Sequence, residues 1–271
     1  MKKRSLIFYI ACFFALFLVF LALFAPKIAP YNPQYVEIAN KLARPSKDHL
    51  LGTDHMGRDV LSRLIFGARL SLSIAGMVTL LNLAIGLPIG LVVGWFSGPL
   101  EKFFTWFSNL VMAFPPFLLS MAFAGIMGQG VWNIIIAVSM VGWVTYARMA
   151  RNMVFVVKDR DYVVSAKTMG ANLFYLLRVH IFPFVFKPIL ILSLTNLGEI
   201  VLMISGFSFL GIGVQPNISE WGMMLNDARP YFRSIPGLAI YPGLAILFTV
   251  VTLNLLGEEF GKKEKRQLWG Q

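Results

Sequence analysis

The chain has 271 residues, of which 57% are hydrophobic and 14% are charged, and its formal net charge is +11. About a quarter of the residues in a soluble domain are charged, because its surface must be solvated. The composition therefore excludes an ordinary soluble domain and leaves room for about five to seven membrane spans of roughly 20 residues each. We expect no nucleic-acid partner, since the basic residues lie at the ends of apolar runs, where they fix orientation and meet the lipid bilayer.

Six apolar runs are predicted to be transmembrane helices, because lipid-exposed backbone must satisfy its own hydrogen bonds. Barrel strands would be about half as long and would alternate in polarity. The first run is too long for the apolar part of a signal peptide, so we expect an uncleaved first helix. The runs cover residues 6–24, 72–96, 103–126, 131–147, 185–212 and 238–256.

The distribution of Lys and Arg predicts the orientation of the spans. The segments on the predicted inner side hold 15 of the 24 basic residues, and we therefore expect both termini to be cytoplasmic. Arg58, Arg63 and Arg69 lie on the predicted outer side and weaken this bias, in a half-polar stretch that could form an amphipathic entry to the second helix. The inner segments are 1–5, 97–102, 148–187 and 257–271, and the outer segments are 25–71 and 213–237.

Two of the runs contain residues that shape helices. Gly86, Gly90 and Gly94 are spaced four apart on one face of the second run, where small residues let two helix backbones approach closely. Pro88 should bend that helix, and Pro115-Pro116 should break or kink the third run. Broken helices recur where transporters build a pathway. Each feature is equally compatible with a pathway or subunit interface and with ordinary packing of a membrane bundle.

Glu199 is the only acidic residue well inside an apolar run, and Thr195 and Asn196 share its helix face. An ionisable group inside a membrane usually faces a polar cavity or a partner. We therefore consider Asn196 and Glu199 for the pathway or a subunit interface, with a structural hydrogen-bonding role as the alternative.

The remaining chemistry-bearing residues form no recognisable site. Cys12 is the single cysteine, so the chain has no internal disulfide and no thiolate metal cluster. His49, His55 and His180 are not spaced as metal ligands, and no Gly-rich phosphate-binding loop is present. We expect no catalytic residue, no metal and no cofactor.

The longest polar stretch on the predicted inner side should form two short helices joined by a tight turn. Asp161 is a plausible N-cap of the first helix, and Gly170 supplies the left-handed residue that ends it. Asn172 can cap the second helix over residues 173–179, and Pro183 closes the segment before the fifth span. Such a helix-turn-helix forms a protruding surface that another protein could bind, although a solvated loop that only connects two spans would have the same composition.

Residues 161–183 resemble the EAA loop of binding-protein-dependent ABC permeases, whose pattern is Glu-Ala-Ala, three residues, Gly, nine residues and Ile-x-Leu-Pro. Ala166, Gly170 and Pro183 are in register with it. Four positions differ, with Val164 for Glu, Ser165 for the first Ala, His180 for Ile and Phe182 for Leu. The resemblance implies that ATPases dock on this segment. The coupling positions that it assigns are Asp161, Tyr162, Ser165, Ala166, Gly170, Ala171, His180 and Pro183.

Two further sequence blocks indicate which branch of the permease family the chain resembles. Residues 51–63 contain Gly-Thr-Asp-His-Met-Gly-Arg-Asp and resemble a block of the C-type permeases for dipeptides, oligopeptides and nickel. Residues 208–213 and 220–222 match a later block of the same family, and residues 226–229 resemble its nickel and metal-chelate members.

The resemblance implies an all-α membrane protein with about six transmembrane helices, the transmembrane domain of a type I ABC importer with a cytoplasmic coupling helix-turn-helix. The implied partners are a second homologous permease subunit, two cytoplasmic ATPases and an extracytoplasmic binding protein. The implied cargo is small peptides or nickel and metal-chelate complexes, imported across the bacterial inner membrane. A membrane-embedded enzyme and a passive channel are the rival functions.

The chain then divides into four segments. Residues 1–25 form an N-terminal transmembrane helix, residues 26–70 an extracytoplasmic segment, residues 71–260 the permease core and residues 261–271 a basic cytoplasmic tail.

Overall fold

The computed structural model describes residues 6–269, with side chains up to residue 262, and within that range it has helices and one isolated β-bridge but no strand. The predicted all-α class is confirmed. The basic residues before Leu6 lie outside the described residues. The helices are α1 Leu6–Ile28, α2 Val60–Trp95, α3 Pro99–Met112, α4 Pro116–Met127, α5 Val131–Val157, α6 Asp161–Thr168, α7 Leu173–Tyr175, α8 Phe182–Phe209, α9 Trp221–Ala228 and α10 Gly237–Trp269.

Five of the described helices are long and apolar enough to cross a membrane, namely α1, α2, α5, α8 with the turns before it, and α10. The helices α3 and α4 are bent by 83° at the predicted break. Lys158, which follows α5, donates to Ser97 before α3 across 2.9 Å, whereas α4 ends at Met127, close to the start of α5 at Val131. The two ends of the bent pair therefore lie at opposite ends of α5, and the pair forms one broken span.

Three helices extend beyond the apolar runs. Helix α2 begins at Val60 because Asp59 caps it, accepting a hydrogen bond from the Ser62 amide across 2.7 Å. The expected boundary between residues 70 and 71 therefore lies inside this helix. Helix α5 continues ten residues past the run that ended at Ala147, to Val157. Helix α10 continues into the segment expected to be a separate tail, because the hydropathy of a run marks only the part of a helix that faces lipid.

The glycine face of α2 packs against α5 of the same chain. A Cβ added at Gly86 would lie 2.5 Å from the carbonyl oxygen of Trp143, and one at Gly94 would lie 2.6 Å from the Cβ of Val154. A Cβ at Gly90 would lie 2.5 Å from that of Ala150. These glycines therefore belong to an intrachain contact, which corrects the expectation that they line a pathway or a subunit interface.

Helix α9 is held between α2 and α8 by one buried carboxylate. Glu220 caps α9 by accepting from the amides of Gly222 and Met223, each across 2.9 Å. The same carboxylate accepts from the hydroxyls of Ser71 on α2 and Ser205 on α8, across 3.2 and 3.3 Å. Helix α9 thus closes the end of the bundle where α2 begins.

Candidate functional site

The segment after α5 has the geometry of a helix that ends in a tight turn. Gly170 has a φ of 87° and donates to the Lys167 carbonyl across 3.0 Å, while Ala171 donates to the Ala166 carbonyl across 3.1 Å. This pair of bonds is the Schellman motif, which requires a left-handed residue at the position of Gly170. The prediction of a left-handed glycine here is confirmed.

The start of α6 differs from the prediction by one residue. Arg160 occupies the cap position without a side-chain hydrogen bond, and Asp161 is the first helical residue. The expectation that Asp161 is the N-cap is therefore wrong. A carboxylate in the first helical turn is still favourable, since it faces the positive end of the helix dipole.

The second short helix is not separate from the fifth span. Asn172 caps it as predicted, accepting from the Tyr175 amide across 2.8 Å. The chain then continues through a wide π-helical turn, Leu176–Ile181, directly into α8. Pro183 lies in the first turn of α8, and it has no amide hydrogen to donate to the preceding π-helical turn. The expectation that Pro183 closes the segment is wrong, and the turn at Gly170 is the one interruption between α6 and α8.

One side of this segment is packed against the spans. Its buried members are apolar, and they join one hydrophobic cluster with side chains of α5 and α8. Because each buried aliphatic side chain contributes about 1.5–3 kcal/mol, the segment is fixed to both helices. The buried residues are Val163, Ala166, Leu176 and Ile181, and their neighbours in the cluster include Val154, Val157, Val185 and Ile189.

The other side of the segment is exposed and carries a groove of ≈ 550 Å³ between α6 and α7. The His180 ring stands between the Tyr162 and Tyr175 rings, with centroids 5.9 and 5.6 Å away. Met169 and Phe174 are 81% and 71% exposed. Clustered apolar side chains of this size on a surface mark a contact with another molecule.

The groove unites five of the eight positions expected to couple to ATPases. Ser165 and Asp161 are exposed outside the groove, and Pro183 is exposed at the start of α8. The five residues in the groove lining are Tyr162, Ala166, Gly170, Ala171 and His180.

Glu199 lies far from this segment, on the surface of α8. Its side chain is exposed and has no hydrogen bond or ion pair with any described residue, while Asn196 is half-buried. Thr195 donates to the Leu192 carbonyl of its own helix across 2.9 Å. No hydrogen bond joins the three residues to one another in the described part of the chain, but Asn196 interacts with the buried Tyr146 hydroxyl of α5.

A buried cluster of four charges at the opposite end of the bundle was missed by sequence reasoning. Arg58 donates to Asp54 across 2.7 Å, and Arg63 also donates to Asp54. Both guanidiniums reach Asp227 on α9, across 3.1 and 3.0 Å. The family blocks contain all four residues, but nothing in their spacing pairs Asp54 with Asp227.

The charges of this cluster do not suit a metal ion. Oxygen and nitrogen atoms of Asp54, His55 and Asp227 lie within 4.8 Å of one another, as the ligands of an ion would. Both carboxylates, however, already accept hydrogen bonds from two guanidiniums, whose positive charges repel a cation. Burial raises the pKa of Asp54, but the charges of Arg63 and Arg58 and two backbone amides outweigh it, so the pKa is below its ordinary value.

Five long apolar helices, one bent helix pair and one exposed segment at an end of the bundle fit the architecture of the transmembrane domain of a type I ABC importer. Residues 86–260 match the family described as the binding-protein-dependent transport system inner membrane component. The chain belongs to this family, whose members are non-catalytic subunits of the inner membrane.

Two relatives illustrate the range of the family. The nickel transport system permease protein NikC of Escherichia coli (strain K12) is 37% identical over 229 residues, which is 84% of this chain and 83% of the relative. The glutathione transport system permease protein GsiD of Pectobacterium atrosepticum is 36% identical over 246 residues, which is 90% of this chain and 82% of the relative.

Proposed function

We propose that this chain forms half of a translocation pathway with a second, homologous permease, and that two ATPases drive it by docking on the segment from Asp161 to Pro183. An extracytoplasmic binding protein delivers the solute. The observation that carries this proposal is the two-sided character of the segment, which is packed against α5 and α8 on one side and exposes a groove with aromatic walls on the other.

The continuity of α7 with α8 supports a mechanical role for the segment. A displacement of the groove by a bound ATPase would be transmitted through the π-helical turn into α8, because no flexible joint separates α7 from α8. Such a segment moves with its spans as a rigid body, which is how closure of two ATPases can open and close a pathway.

We propose small peptides or nickel and metal-chelate complexes as the cargo. The two relatives named above support this range, since one is named for nickel and the other for glutathione, which is a small peptide. The overall identities to the two relatives are nearly equal and favour neither cargo.

We propose that the α6 end of the bundle and both termini are cytoplasmic. The outer arginines that weakened the charge bias include Arg58 and Arg63, which Asp54 and Asp227 neutralise in the buried cluster. Arginines that are buried and ion-paired do not contact lipid headgroups. When Arg58 and Arg63 are set aside for this reason, the excess of Lys and Arg at the α6 end is larger than the simple residue counts indicate.

We assign Glu199, with Asn196 on the same face, to the pathway or to the contact with the second permease. An exposed carboxylate on an apolar span is costly in lipid, and Glu199 has no ion pair or hydrogen bond with a described residue, although the Tyr146 hydroxyl of α5 lies near this face. A polar cavity or a partner subunit must therefore cover it.

The test is reconstitution of the chain with the subunits encoded beside it. Co-purification of two ATPases, and uptake of solute that requires both ATP and the binding protein, are the expected results. Uptake that continues without ATP would instead identify a passive channel, and a permease that neither binds ATPases nor transports would exclude the importer.

A further inference from the structure

A cavity between α1, α2 and the loop before α9 lies at the end of the bundle opposite α6. It measures ≈ 730 Å³ and is bounded by the end of α1, the first third of α2 and the loop that precedes α9. Neither the segment from Asp161 to Pro183 nor the buried charge cluster contributes a residue to its lining, so the proposed function leaves this cavity without a role.

Arg69 gives this cavity one unneutralised positive charge. Its side chain is exposed and makes no hydrogen bond or ion pair with a described residue, and no acidic side chain lines the cavity. Arg58, just before α2, and Arg63, in its first turn, are by contrast each ion-paired with both Asp54 and Asp227. The cavity is therefore complementary to an anion that no described residue supplies.

The position of Arg69 along α2 places it at the membrane boundary. Helix α2 has 36 residues, which at about 1.5 Å per residue makes it much longer than the roughly 30 Å of a hydrocarbon core. Arg69 immediately precedes Leu70 and the long apolar part of the helix. A guanidinium at the end of the apolar part of a transmembrane helix lies at the height of the lipid phosphates. Burying the charge in the hydrocarbon core would be costly, and water begins beyond the phosphates.

The walls of the cavity are fixed and amphipathic. Tyr31 is held by a bond from its amide to the Ser62 hydroxyl across 3.1 Å and by a bond from its own hydroxyl to the Asp48 carbonyl across 2.8 Å. Phe66 and Leu70 supply an apolar side. Ser219, another lining residue, has a buried hydroxyl without a hydrogen-bond partner among the described residues.

We propose that this cavity binds the phosphate of an anionic phospholipid headgroup from the leaflet at this end of the bundle. Arg69 pairs with the phosphate, and the apolar wall of Phe66 and Leu70 receives the first carbons of the acyl chains. A free phosphate ion could also pair with Arg69, but it has no apolar part that would contact Phe66 and Leu70. A carboxylate from a docked binding protein is the competing occupant, and the position of Arg69 at the lipid boundary favours the lipid.

The test uses the complete chain, purified with the subunits encoded beside it and exchanged into nanodiscs of phosphatidylcholine with or without phosphatidylglycerol. Native mass spectrometry after detergent washing counts the lipids retained by the complex. The variants are Arg69→Gln, Arg69→Lys and the control Arg233→Gln, since Arg233 is an exposed arginine at the same end that does not line the cavity.

The wild type should retain phosphatidylglycerol at least tenfold more tightly than phosphatidylcholine, because the choline ammonium of phosphatidylcholine neutralises its own phosphate and is repelled by Arg69. Arg69→Gln should abolish this preference, Arg69→Lys should keep part of it, and Arg233→Gln should leave it unchanged. Equal retention by Arg69→Gln and the wild type would overturn the assignment. Full displacement of the lipid by inorganic phosphate would also overturn it in favour of a free anion. Unchanged lipid retention in Arg69→Gln together with weaker docking of the binding protein would assign the cavity to that protein instead.

Discussion

The Arg63 guanidinium donates a hydrogen bond to Asp227 across 3.0 Å, although 164 positions separate the two residues in the chain. This bond joins the first turns of α2 to the short helix α9. Arg58 and Asp54 complete the cluster, so two positive and two negative groups balance one another away from water. The stability of this end of the bundle therefore depends on each of the four charges.

Asp54→Asn should destabilise the protein by about 3–5 kcal/mol, because it leaves two buried guanidiniums with one carboxylate. The measurement is unfolding in mixed micelles, followed by tryptophan fluorescence. Asp48→Asn is the matched control, since the Asp48 side chain is exposed and should change stability by less than about 0.5 kcal/mol. Equal effects of the two variants would mean that the cluster does not stabilise the fold.

The contribution of Asp54 should also depend on pH. Its pKa in the folded protein is below the ordinary value of 3.8, so the carboxylate stabilises the fold above that pH and loses its contribution as the pH falls through the lowered pKa. The difference in melting temperature between the wild type and Asp54→Asn should be constant from neutral pH to about pH 5 and shrink only below 3.8. A difference that already shrinks between neutral pH and pH 5 would contradict this.

Gly90→Ala should destabilise the protein by about 1–3 kcal/mol, because the added methyl group meets Ala150 at 2.5 Å in a rigid contact between α2 and α5. Gly76→Ala on the same helix is the control, since nothing lies within 4 Å of a Cβ built there. That change should be neutral or stabilising by up to about 1 kcal/mol. Yield and melting temperature of the isolated chain are sufficient readouts, because the contact lies within one chain.

Gly170→Val should weaken ATPase binding and uncouple transport without reducing insertion of the subunit. No atom lies within 4 Å of a Cβ at Gly170, so the change strains only the backbone, at φ = 87°, by roughly 1–2 kcal/mol. Gly170→Asn is the matched control, since asparagine tolerates the left-handed region. The measurement is substrate-stimulated ATP hydrolysis by the reconstituted complex. Normal substrate-stimulated ATP hydrolysis by the Gly170→Val complex would mean that the segment only connects two spans.

A cysteine at Asn217 should react with an impermeant thiol reagent from outside the cell, whereas a cysteine at Met169 should react only after permeabilisation. Both positions are exposed, and Cys12 is first replaced by serine so that no other thiol competes. The opposite labelling pattern would show that the orientation is the reverse of the one proposed, and it would contradict the docking of ATPases on the segment from Asp161 to Pro183.

The limits of sequence reasoning are clearest where a helix is held by side chains rather than by hydrophobicity. The apolar run predicted a start of α2 near Leu72, but the Asp59 cap and the buried arginine pairs extend the helix back to Val60. In the segment from Asp161 to Pro183, the left-handed turn at Gly170 was predicted correctly, because such a turn depends on neighbouring residues. The continuity of this segment with α8 was missed, since the π-helical turn of Leu176–Ile181 depends on burial against α5.

The sequence by itself determined the number of spans, the break at Pro115-Pro116 and the turn at Gly170, because lipid exposure and backbone conformation are properties of consecutive residues. Only the tertiary structure decided which helix the glycine face contacts, that Arg58 and Arg63 join Asp54 to Asp227, and that Arg69 lines a cavity in which no described residue is its counterion. These features join residues far apart in the chain. Their partners are selected by three-dimensional packing, which the spacing of residues in one sequence does not encode.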